Sequence, residues 1–317
     1  MLTLSLVSVL VGIMVGSVDA SLTDLFEAID GKDNIKGYII LNVRVTRTVG
    51  AYIGGAALAL SGLMLQTYFR NPLAGPYVLG ISSAASLGVA LYILAGIGWS
   101  YYGLVGAAMA GSMIAILFVL ALASRVRSAV TLLIAGLMFG YVFGAVEKIL
   151  ITFAESRQVH EFVLWTFGTF SGITWDDLKV LAVLVSVSGA VSAALAKPLN
   201  AMLLGEEYAR SMGVDIRAVR MVVVTLSSFL AAVVTAFAGI VAFIGLAVPH
   251  ITRLVFRTSD HRILIPSVAV LGALVTVVCD IISRTVAAPV ELPISVVTSL
   301  FGAPIVVFLI LKRRRIG

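Results

Sequence analysis

Few side chains in this sequence are of types that do chemistry, and their spacing excludes most reactions. The three histidines, His160, His250 and His261, are scattered, with no H-E-x-x-H and no Cys/His cluster at metal-ligand spacing. The one Gly-Lys pair, Gly31-Lys32, is followed by Asp33 and makes no phosphate-cradling loop, so the chain holds no ATPase of its own. The single Cys279 lies in an apolar run and forms no intrachain disulfide. Ionisable residues inside apolar runs are sparse: Glu147, Lys148 and Asp280, all near run ends. That is thin for a proton or ion relay, and Asp280 alone gives no aspartate pair or nucleophile–base pair for an intramembrane enzyme. Asp280 and Arg284, one helical turn apart, can pair with each other.

Two charged groups are more informative. Arg44 and Arg47, three apart, share one helical face just before an apolar run, and Arg284 ends a later run on the same side. By spacing alone, arginines snorkelling to an interface look the same. The second group is the polar, helical stretch 199–220 between two long apolar runs. A protein made of membrane spans needs such a segment mainly where a soluble partner drives it. Ala209 and Gly213, one turn apart, would leave a small-residue face for close approach of that partner.

The elements that position these groups are long apolar helices. Of 317 residues, 60% are hydrophobic and 12% charged, about half the charge of a soluble domain. Apolar runs of about twenty residues, enough to span a bilayer as helix, recur without the alternation of barrel strands. The expected spans are 2–18, 48–68, 77–97, 103–124, 130–153, 178–196, 219–240, 241–256, 264–284 and 293–311. Residues 1–18 lack a basic leader and read as a first span rather than a signal peptide. Pro249 interrupts the eighth span, so 239–249 is expected to be partly irregular.

This reading is an all-α, polytopic membrane protein, one transmembrane domain over 1–317, with both termini cytoplasmic. Of the 22 lysines and arginines, fourteen fall on the side that holds 197–220 and the C-terminus, against eight on the other, which marks the first side as cytoplasmic. Trp99, Trp165 and Trp175 fall on the opposite side, as an interfacial belt. The formal charge of +6 therefore reflects topology and contact with lipid, not nucleic acid. The outer loop 19–43 contains Ser21-Leu22-Thr23-Asp24-Leu25-Phe26-Glu27, which reads as a short capped helix. Gly136, Gly140 and Gly144, four apart, give a face that packs closely or lines a passage, with packing the safer reading.

From Arg44 to Gly88 the chain resembles the FecCD-type permeases of iron-siderophore, haem and cobalamin importers. The shared residues are Arg44, Arg47, Gln66, Asn71, Pro72, Leu73, Ala74, Pro76, Leu79 and Gly80. Further blocks follow in family order: Gly245 through Arg253 with Pro249-His250, Asp260-His261-Arg262, Asp280, Arg284, Glu291-Leu292-Pro293-Ile294 and Gly302-Ala303-Pro304. Glu207-Tyr208-Ala209-Arg210-Ser211-Met212-Gly213 resembles the E-A-A-x-x-x-G segment by which importer permeases grip their ATPases. Departures are Tyr208, Thr46 where the family has proline, and a short N-terminus.

The resemblance implies a cobalamin-permease-like fold and a non-enzymatic subunit forming the pathway for a metal chelate. Ferric siderophore is the first expectation, with cobalamin, haem and molybdate or tungstate behind it. Partners would be a second permease copy, two ATP-binding-cassette ATPases carrying the ATP and magnesium, and an extracytoplasmic binding protein. The setting would be a prokaryotic inner membrane. Arg44, Arg47 and Arg284 would dock the binding protein. Glu206, Glu207, Ala209, Arg210 and Gly213 would couple to the ATPase. Ser128, Ala129, Val130 and Thr131, after Arg127, would form the cytoplasmic gate, with Gly136 and Gly140 along the pathway. Asn71, Pro72, Pro249, His250 and Pro293 would be structural, and no metal or cofactor is expected in the chain. A gradient-driven carrier, which would need midplane charges or repeats with broken helices, and an intramembrane enzyme are the alternatives.

Overall fold

The computed structural model describes residues 1–16, 23–24, 35–126 and 128–313, with side chains to residue 307. Among them are thirteen helices and no strands. In order these are α1 (Leu2–Met14), α2 (Ile35–Phe69), α3 (Ile81–Leu94), α4 (Tyr101–Arg125), α5 (Ala129–Phe153), α6 (Ser156–Thr166) and α7 (Trp175–Ala194). There follow α8 (Ala196–Leu204), α9 (Glu206–Ser211), α10 (Ile216–Ala238), α11 (Ile244–Phe256), α12 (His261–Thr285) and α13 (Ile294–Arg313). Six of them, α2, α4, α5, α7, α10 and α12, are long and apolar enough to cross a membrane; α1, α3, α11 and Ile294–Val307 are shorter apolar helices. The expected surface helix at residues 21–27 lies, apart from Thr23 and Asp24, outside the described residues, as does Arg127.

Small residues decide the packing. With no water to drive helices together inside a bilayer, close backbone approach supplies the contact energy. In α2, a methyl group at Gly55 would collide with the Gly272 carbonyl and Thr276 of α12, and one at Gly62 with the Gly245 carbonyl of α11. Gly88 of α3 and Gly111 of α4 meet the facing backbone at Ala107 and Ala84 in the same way. α2 is consequently the central helix, with 78% of its most apolar window buried, against 11% for α5. Gly136 and Gly140 of α5 pack on Leu79, Gly80 and Ser83, whereas Gly144 faces open space.

Three details depart from the sequence reading. The irregular stretch is confined to 239–243: Phe243 takes the left-handed conformation (φ 64°), and α11 then runs helically through Pro249. A further helix, α6, stands in the loop after α5, held by a capping box between Glu155 and Gln158. A six-residue π-helical turn, Ile40–Val45, widens α2 at Arg44. There the Thr46 hydroxyl donates to the carbonyls of Asn42 (2.9 Å) and Val43 (3.2 Å).

Candidate functional site

At one end of the bundle Arg44, Arg47 and Arg284 gather around the last turn of α1. Their residues are only 4%, 5% and 6% exposed, so they do not form the open rim that arginines ending apolar runs suggest. Arg47 Nε donates to Asp280 Oδ1 (2.9 Å), and its Nη1 donates to both carboxylate oxygens of Glu291 (2.7 and 2.9 Å). Arg284 Nε stands 3.5 Å from Asp280 Oδ2, the pairing expected from the one-turn spacing. Arg284 Nη2 donates to the Gly12 carbonyl (2.7 Å) and Arg44 Nη1 to that of Met14 (3.0 Å). Two cations thus sit at the negative end of the α1 dipole. Buried charges persist only when paired and hydrogen-bonded, and Asp280, 1% exposed, is neutralised by Arg47 and Arg284. Glu291, with its side chain 48% exposed, is the member that meets solvent.

At the opposite end lies the stretch expected to couple to an ATPase. Gly205 (φ 129°) turns the chain between α8 and α9, and Gly213 (φ 82°) ends α9. The Gly213 N–H donates to the Arg210 carbonyl and the Val214 N–H to that of Ala209, both at 3.0 Å. This corrects the small-residue face: Ala209 is fully buried in the chain's own core, and Gly213 is required by its positive φ. The surface offered outward is Glu207, Tyr208, Arg210, Ser211 and Met212. Asp215 caps α10 by accepting from the N–H groups of Arg217 and Ala218.

The start of α5 adjoins this surface. Ser128 caps α5 by accepting from the Thr131 N–H, leaving Val130 and Thr131 exposed. Ala129 and Val130 share an open cleft of about 870 Å³ with Arg70, Glu206, Glu207 and Tyr208. The structure thereby brings expected gate and coupling residues together. Arg220 Nη1 donates to the Val126 carbonyl (2.7 Å), tying α10 to the end of α4.

At the same end is a polar network of which only the Asp260-His261-Arg262 block stood out in the sequence. Asn200 of α8 donates through Nδ2 to Asp260 Oδ1 (2.6 Å), and its Oδ1 accepts from the His261 backbone N–H (2.9 Å) and from Nδ1 (2.7 Å). His261 Nε2 lies 2.8 Å from Thr67 Oγ1 of α2, whose hydroxyl is also 2.9 Å from the Leu63 carbonyl. Asp260 also caps α12. Its carboxyl is held below the usual carboxylate range, first by the Arg262 N–H and then by Asn200. Nearby, Arg253 Nη1 donates to Gln66 Oε1 (2.7 Å), and Gln66 Nε2 to the Leu246 carbonyl (3.0 Å).

The structural residues act locally. Asn71 Oδ1 accepts the Leu73 N–H (2.9 Å) in the turn with Pro72, and the Pro293 carbonyl accepts the Val296 N–H at the start of α13. His250, half-buried, follows Pro249 within α11.

Comparison with known proteins agrees with this architecture. The profile of the FecCD transport family matches residues 4–312. The chain is 38% identical over 277 residues to the vitamin B12 import system permease protein BtuC of Citrobacter koseri, covering 87% of this chain and 84% of that one. It is 37% identical over 277 residues to BtuC of Escherichia coli O9:H4, with the same coverage. A metal-chelate type ABC transporter solved in an inward-facing conformation superposes with TM-score 0.88 at 28% identity, over 98% of this chain and 97% of that one. PsaBC from Streptococcus pneumoniae, solved with a Fab, shares the fold at TM-score 0.55 and 17% identity, over 90% of this chain and 95% of that one. The chain belongs to the FecCD transport family, permease subunits of ATP-binding-cassette importers, and is a multi-pass protein of the cytoplasmic membrane.

Proposed function

We propose that this permease passes a bulky metal chelate, driven by two ATPase subunits at the α8–α9 end and fed by a binding protein at the arginine end. The observation that carries the reading is the shared cleft, in which Glu206 and Glu207 stand beside Ala129 and Val130. An ATPase seated there would push on the gate residues directly. ATP and magnesium belong to that partner, with no cofactor in this chain. The names of the relatives move cobalamin ahead of ferric siderophore as the cargo to test first.

Two finer assignments go with it. A second copy faces α5, the long helix least covered by its own chain, whose exposed Ile134, Met138 and Tyr141 suit a partner across a pathway axis. The arginines dock acidic residues of the binding protein in amended form: an incoming carboxylate takes the place of Glu291 on Arg47 Nη1.

The test is reconstitution into vesicles with the ATPase and binding protein, followed by uptake of cyanocobalamin against a ferric siderophore. Uptake of neither, in vesicles that hydrolyse ATP, rejects the cargo class. Single cysteines at 128–131 that crosslink across the dimer equally with and without nucleotide reject the gate.

A further inference from the structure

The two polar networks stand at opposite ends of the same two helices. Thr67 lies near the last residue of α2 and Arg47 just after its π-helical turn; His261 and Asp280 lie near the two ends of α12. Between them α2 and α12 touch backbone to backbone at Gly55 and Gly272, with Thr276 closing the gap. At the α8 end, Asn200 holds the His261 N–H and Nδ1 and the Asp260 carboxylate, while Thr67 Oγ1 meets His261 Nε2. His261 and Thr67 are both buried, 1% and 3% exposed, and each polar atom of the imidazole is engaged. At the far end, Arg47 bonds Asp280 across the same pair of helices. A pair packed this closely at its centre and hydrogen-bonded at both junctions resists compression and transmits strain along its length.

We infer that α2 and α12 form a strut carrying the ATPase-driven movement of α8 across the membrane to the arginine cluster, with Asn200, His261 and Thr67 as the positioning residues that fasten α8 to it. The inference rests on the proposed ATPase contact at α8–α9. It makes Asn200 and His261 matter for transmission although neither belongs to the outward surface of α9. The arginine cluster also meets α1, whose final carbonyls rest on Arg284 and Arg44, and the loop that carries Glu291 into α13. Coupling of this kind requires an element whose arrangement both sites bias, and here one hydrogen-bonded junction marks each end of it.

The experiment uses the full chain, with Cys279→Ala, in complex with its ATPase subunit in nanodiscs. Spin labels are placed at position 290, on the loop after α12, and at 102 on α4, both exposed. In the parent the 290–102 distance shifts between nucleotide-free and vanadate-trapped complexes. In Asn200→Ala and in Thr67→Val that shift is at least halved, while the ATPase copurifies at the parent ratio. Thr67→Ser, which restores the hydroxyl, restores the shift. A full shift in both variants, or none in the parent, overturns the strut, as does a Thr67→Ser protein behaving like Thr67→Val. If the ATPase fails to copurify even with the parent, the coupling contact itself is wrong and the strut falls with it.

Discussion

The two ends of α2 and α12 solve the same problem with different chemistry. At the arginine end the junction is ionic: Arg47 and Arg284 enclose Asp280, with Glu291 at the solvent side. At the α8 end an amide, an imidazole and a hydroxyl bridge the helices, with the carboxylate of Asp260 at the edge. An ionic junction can exchange one carboxylate for another at little net cost, which suits a site visited by an acidic partner. A buried junction of neutral groups that satisfy one another has no such substitute, which suits a permanent fastening.

The comparison breaks most sharply at Arg47. Arg47→Met leaves Asp280 only its 3.5 Å pairing with Arg284 and should cost about 3 kcal/mol in detergent unfolding. Adding Asp280→Asn in the same chain should recover only part of it, since Arg284 then loses its carboxylate. If the single variant unfolds like the parent, the ionic junction is not holding the helices.

Gly213 gives the next largest effect. Because its φ is 82° and a side chain there would meet nothing within 4 Å, Gly213→Leu should cost about 1–2 kcal/mol in the turn after α9, and Gly213→Asn much less. Pull-down of the ATPase should follow that order. Equal loss with both residues would instead restore the small-residue face.

Glu291→Gln tests the exchangeable carboxylate. Because the pair is half-exposed, stability should change by less than about 1 kcal/mol. Association with the binding protein should quicken at low ionic strength and depend more steeply on salt, since the arginines lose a competing negative charge. Unchanged association in stopped-flow measurements would return the arginines to a structural role.

The smallest effect is the pH response of Asp260. A carboxyl whose folded pKa is depressed contributes stability above its unfolded value, near 3.9, and loses it as pH falls through the folded value. Wild type should therefore lose more stability than Asp260→Asn as pH drops below about 4. Parallel acid-unfolding curves would show the Asn200 and Arg262 contacts to be energetically idle.

What could be read in the sequence was whatever repeats over one helical turn or one bilayer thickness. Apolar runs gave the long helices, and the spacing of Asp280 and Arg284 gave their contact. The stronger partner of Asp280 is Arg47, 233 positions away, and nothing local announces it. Glu291 was visible only as part of a motif, without its role. Ala209 looked like surface because small residues on a charged helix leave that side open, but the helix rolls that side into the core. The helix α6 did carry its signal, Glu155 and Gln158 at capping-box spacing.

The break between α10 and α11 bears on how the chain enters the membrane. With 13 residues, α11 is about 20 Å long, about 10 Å less than a hydrocarbon core. Alone it would leave the backbone of 239–243 in lipid without partners. In the finished protein the Thr169 N–H donates to the Ala238 carbonyl and the Val241 N–H to the Tyr77 hydroxyl, while Gly302 makes room for the Phe243 ring. Those partners come from earlier and later segments, so the backbone between α10 and α11 finds its bonds in the assembled bundle rather than within residues 216–256.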